Sequence, residues 1–178
     1  MRLFSVQTVA PVLGSMPLIL KLKQEGTSMA VSPEQLSALL TYCTDFSRTM
    51  LERAGDFYPF GATLSKDGTL GAAGGHNGEE RPKPLEIYTL LAQAFKADAL
   101  NGNVLATALA ANVNIPPEYS PSAPDGVRVH VEAEGYSRFF YGPYRITKQG
   151  FLKKTFVVEF DEWFAVEIPP QFFRAGGG

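Results

Sequence analysis

Residues 127–141 read Val-Arg-Val-His-Val-Glu-Ala-Glu-Gly-Tyr-Ser-Arg-Phe-Phe-Tyr, and this stretch decides the fold. Val127, Val129, Val131 and Ala133 alternate with Arg128, His130, Glu132 and Glu134. Successive side chains of a strand point to opposite faces, so the alternation predicts a half-buried strand with one apolar and one polar face. Glu134-Gly135 then turns the chain, and Tyr136 to Tyr141 returns as an aromatic-rich antiparallel partner.

Downstream, Phe156 to Ile168 reads as one long strand or two short ones, because the apolar phase slips near Asp161-Glu162 as it does at a bulge or turn. Upstream lies a proline-rich connector from Pro116 to Pro124. Before it, residues 103–113 are rich in alanine, which favours helix, but their length and position suit a strand packed under a helix, and a strand is expected.

Two helices precede these strands. Ser32-Pro33-Glu34-Gln35 combines an N-cap serine, a proline at the first helical position and a glutamine at the capping-box position. Leu36, Leu39, Leu40, Cys43, Phe46 and Met50 recur at three- and four-residue spacing and Gly55 closes the run, so a helix is predicted over 33–54. Pro84 opens the second, with Ile87, Tyr88, Leu91, Ala94, Phe95 and Ala99 on one face and Asn101-Gly102 as its end. Between them, Asp67-Gly68 separates two extended runs as a hairpin turn does, and Gly74 to Pro84 is a loop by composition.

The order is helix, hairpin, helix, then three or four strands, without the alternation of a parallel α/β fold. It predicts an α+β domain: an antiparallel sheet of about five to six strands with two helices packed on one face. The other face is left to water or a partner.

At 178 residues the chain fits one domain. We expect residues 29–175 to form it, with 1–28 as an N-terminal arm or a start-site artefact ahead of Met29, and 176–178 as a flexible glycine tail. Gln7, Pro11, Gly14 and Pro17 interrupt the early apolar stretch, so it reads as neither signal peptide nor membrane span. The formal net charge of −2 supplies no basic footprint for nucleic acid. A single cysteine, Cys43, suits a reducing compartment, and a cytoplasmic location is expected.

No residue pattern announces chemistry, and no cofactor or metal is expected. The chain has two histidines and one cysteine, without metal-ligand spacing. His130 is read as part of a solvated strand face and His76 as part of a flexible loop. The glycines from Gly71 to Gly78 match no phosphate-binding fingerprint, and Glu79 and Glu80 beside them would repel an anion. Cys43 falls on the apolar helix face. The carboxylate pairs Glu79-Glu80, Glu132 with Glu134, and Asp161-Glu162 read as solvated faces and turns.

The candidate binding residues are Tyr136, Arg138, Phe139, Phe140, Tyr141 and Tyr144, an aromatic and arginine run of the kind enriched at interfaces. Period two sends Phe139 and Tyr141 to one side and Tyr136, Arg138 and Phe140 to the other, so at least one set needs a cover. A helix, the N-terminal arm, a second subunit or a ligand would serve.

The run Tyr58-Pro-Phe-Gly-Ala-Thr-Leu-Ser-Lys-Asp-Gly68, followed by Val127 to Gly135 and Gly142-Pro-Tyr144, resembles small uncharacterised bacterial proteins of a domain of unknown function. The resemblance covers residues 30–168 in order of elements and brings no catalytic residue. It implies a bacterial origin and a role of an immunity-like or regulatory kind. The functional expectation is a non-enzymatic protein-interaction module, with a homodimer or another protein as partner. The alternative is a small-molecule-binding protein or enzyme with a pocket between sheet and helices, using tyrosine, His130 or Glu132 as polar contacts.

Overall fold

The computed structural model describes residues 31–150 and 155–174; the expected N-terminal arm and glycine tail lie outside them. Helix α1, Pro33–Ala54, starts at a complete capping box, in which Gln35 N–H donates to Ser32 Oγ and Ser32 N–H donates to Gln35 Oε1 at 2.9 Å. It stops at Gly55, whose left-handed φ of 78° and contact with the Phe156 ring both disfavour any side chain. Strands β1, Phe60–Ser65, and β2, Leu70–Gly74, form the first hairpin about Asp67-Gly68. Helix α2, Pro84–Leu100, follows.

The remaining strands are β3, Val104–Asn114, β4, Asp125–Ala133, β5, Tyr136–Gln149, β6, Thr155–Phe160, and β7, Phe164–Glu167. Every pairing is antiparallel, in the order β2-β1-β3-β4-β5-β6, with β7 also on β5. The α+β architecture is therefore as expected. The alanine-rich segment is a central strand because pairing to β1 and β4 along its length outweighs alanine's weak helix preference.

The phase slip near Asp161 is a bulge. Tyr144 pairs with Phe160 and Tyr141 with Phe164, so three steps along β5 correspond to four along its partner. Strands β6 and β7 thus occupy one edge of β5, broken by the extra residue. Asp161 N–H donates to the Pro143 carbonyl at the break, and the Trp163 ring lies on Gly142, where no Cβ would fit. The outer half of β5 extends beyond β4 and carries β6 onto α1, where Arg48 donates to the Val158 carbonyl and stacks over Phe160.

The placement of the helices is where the structure departs from expectation. Phe60, Ala62, Leu64, Ala106, Ala108, Ala110, Val127, Val129, Val131 and Phe140 share one buried core with Leu36, Leu39, Leu40, Cys43 and Leu51 of α1. The intervening residues point the other way, and Leu109 there packs with Ile87, Leu91 and Phe95 of α2. The helices cover opposite faces, not one. The physical reason lies in β3, whose residues from Ala106 to Ala111 are all buried and so need cover on both sides. Gly61 of β1 makes room, since a Cβ there would stand 2.7 Å from Cζ of Phe95.

A Cβ at Gly61 would also press on the Ala108 carbonyl oxygen of β3, so Gly61→Ala is expected to disturb both that strand and Phe95 of α2 and to lower stability by about 1–3 kcal/mol. Urea denaturation measures this, and an unchanged midpoint would mean that β3 and α2 do not close on Gly61 as described.

Candidate functional site

The register of β4 on β5 places three pairs side by side on the α2 face: Arg128 with Tyr141, His130 with Phe139, and Glu132 with Ser137. This is the face read from sequence as polar and solvated. His130 and Glu132 are instead fully buried. Alternation alone marks which residues share a face, but not which face is wet, and here α2 and the segment after β7 cover it.

Glu132 is the centre of the arrangement. Its carboxylate lies 2.9 Å from His130 Nε2 and accepts the backbone N–H groups of Gln171, Phe172 and Phe173, the last two at 2.8 Å. Burial pushes the Glu132 carboxyl up, but the hydrogen bonds from His130, Gln171, Phe173 and Phe172 outweigh it and hold the group below the usual carboxylate range. The three N–H groups belong to a strap, residues 168–174, that leaves β7 through a bond from Ile168 N–H to the Ser137 carbonyl. Phe172 of the strap is buried against His130 and Phe95, with ring centroids 4.6 and 6.1 Å away.

Imidazole, carboxylate and hydroxyl are thus in contact, but not as a proton relay. Ser137 Oγ and the Glu132 carboxylate both meet the same nitrogen of His130, Nε2, at 3.2 and 2.9 Å. A nucleophile and its orienting acid require opposite nitrogens of the ring. Nδ1 is buried without a hydrogen-bond partner, as is Oγ1 of Thr107, which lies beside Glu132 in the sheet. The arrangement anchors the strap.

One row along the sheet, Arg128 has a different environment. Its guanidinium carbon lies 4.6 Å from the Phe139 ring centroid and 5.1 Å from that of Tyr88 on α2. Tyr141, opposite it, stacks on Phe164 of β7 at 5.3 Å, and Tyr119 from the connector packs against both rings. Burial raises the Tyr141 hydroxyl's pKa despite the opposing Arg128 charge. Arg128 Nε is buried without an acceptor. Tyr119 is 38% exposed, and Phe139 and Phe164 are half-buried, so the cluster opens to the surface.

The sequence-predicted binding residues divide between the two faces as period two requires. Phe140 and Tyr144 lie in the core beneath α1, and the Tyr144 hydroxyl donates to Asn112 Oδ1 at 2.9 Å. Tyr136 packs at the margin of that core, with Arg138 over its ring and paired to Glu167. Only Phe139 and Tyr141 join the Arg128 cluster. Arg128, Tyr88, Tyr119 and Phe164 were not singled out by sequence. The signal available for Arg128 was its place in β4 directly across from the aromatic strand.

The other sequence candidates lie elsewhere. His76 is in the exposed loop, accepting the Gly78 N–H, and Cys43 is on the buried face of α1, where burial drives its thiol far up. Among the described residues, no three His, Cys, Asp or Glu side chains gather as a metal site requires, and no helix is long and apolar enough to cross a membrane. Comparison with models of protein families, with curated proteins and with solved structures finds no match.

Replacing Glu132 by Gln removes the charge from a buried site that offers it four donors, and is expected to cost about 2–4 kcal/mol in urea denaturation. The pH dependence has a definite sign. The folded value lies below the unfolded value near 4.5, so this stabilisation is complete above that value and disappears as pH falls through the folded one. Limited proteolysis of the strap across that range is expected to accelerate on the acid side in the native chain. An acid onset that stays unchanged in the Glu132→Gln variant would assign the effect to another group.

Proposed function

We propose that this chain is a non-enzymatic protein-interaction module whose partner docks on the surface formed by Arg128, Tyr119, Phe139 and Phe164, with the buried Tyr141 beneath them. One observation carries the reading: a half-buried arginine held between aromatic rings, with further ring surface open beside it. Tyrosine, phenylalanine and arginine in a partly desolvated setting are the residues that dominate binding energy at interfaces. The immunity-like or regulatory character of the module, and its bacterial origin, come from the sequence resemblance. A cytoplasmic setting comes from the lone cysteine.

The alternative of a ligand pocket built on His130 and Glu132 has less support. Both groups are buried, and the Glu132 oxygens already hold the strap. A ligand would have to displace a segment that contributes to the core through Phe172.

The Tyr119→Ala, Phe164→Ala double variant tests the reading, because it removes ring surface while sparing Glu132 and both helices. It is expected to keep a cooperative thermal transition and to weaken association by about 2 kcal/mol or more, roughly thirtyfold. Light scattering reads association with a second copy, and affinity capture reads association with a different chain. Undiminished association in both would count against this surface.

A further inference from the structure

Within the proposed surface, Arg128 is the element with selective chemistry. A guanidinium stays charged at every physiological pH and presents five donors in a planar fork. Here its central carbon lies over the rings of Phe139 and Tyr88, at 4.6 and 5.1 Å from their centroids, so the charge sits against aromatic surface. Arg48, Lys83, Arg138 and Arg145 each reach a carboxylate, Glu52, Glu86, Glu167 and Asp161 respectively. Arg128 reaches none among the described residues, and its Nε is both buried and without an acceptor.

We infer that Arg128 anchors a carboxylate, supplied by an aspartate or glutamate side chain that a partner protein presents between apolar residues. The inference rests on the binding-module reading above. Three features select this occupant. A planar fork matches a carboxylate through two parallel hydrogen bonds. A phosphate, with nearly twice the charge, calls for a second cation, and Arg138 and Arg145 of the neighbouring strand β5 are already paired to acids. The exposed ring surface of Tyr119 and Phe164 favours an acid embedded in apolar sequence over a free inorganic anion. With a net charge of −2 the chain has no general attraction for anions, so recognition depends on this contact.

Two capped peptides test the inference: one with a single glutamate between phenylalanine and leucine, and the same peptide with glutamine. Inorganic phosphate is the third probe. Each is titrated into the full chain while the Arg128 Nε–H resonance is followed by NMR. The glutamate peptide is expected to move that resonance saturably and to bind at least roughly tenfold tighter than the glutamine peptide. Arg128→Met is expected to erase the difference, and phosphate to leave the resonance unmoved.

Equal binding of the two peptides would overturn the carboxylate assignment while leaving the aromatic surface as a docking site. A phosphate response matching that of the glutamate peptide would overturn it in favour of a general anion site. Binding by neither peptide would overturn it too, and the fate of the wider surface would then rest on the double variant. The peptide comparison uses the native chain, so it decides the matter even if the Arg128 variant misfolds.

Discussion

A carboxylate in the middle of a sheet, covered on both sides, can stay ionised only if donors replace the water it has lost. Glu132 is in that position, and its donors come from His130 and from three consecutive backbone N–H groups about forty residues further along the chain. The order of the α2 face follows from this requirement. The strap has to lie over β4, Phe172 has to fall on His130 and beside Phe95, and α2 gains a second apolar neighbour besides β3. In a fold whose other face is an ordinary apolar core under α1, this polar contact fixes where residues 171–173 lie on the opposite side.

Much of the frame was legible in the sequence because it depends on local rules. The capping box at Ser32, the glycine at the end of α1, the Asp-Gly hairpin, the alternation in β4 and the bulge near Asp161 are each set by a few neighbouring residues. The placement of the helices was not legible, because it depends on which alanines of β3 point where and on the space above Gly61, both tertiary facts. The burial of His130 and Glu132 was hidden for a related reason. A strand alternating valine with polar residues looks the same whether its polar face meets water or a strap of backbone N–H groups from a distant segment.

The candidate surface was half legible. The aromatic run from Tyr136 to Tyr144 was visible, and its division between the two faces follows period two. Its partners were not visible, since Arg128 arrives from the neighbouring strand, Tyr88 from α2, Tyr119 from the connector and Phe164 from beyond the bulge. Buried polar groups at one end of the face and a charged group between rings at the other also divide its roles. The His130 and Glu132 end closes the fold, and the Arg128 end faces outward.

The strap is an integral part of the folded domain, locked by Glu132. Native-state hydrogen exchange at the amides of Gln171, Phe172 and Phe173 tests it most directly. These amides are expected to exchange only through global unfolding, as slowly as the amides of β4. Exchange at the rate of an unstructured peptide would contradict it, and would leave Glu132 without the donors on which the α2 face depends.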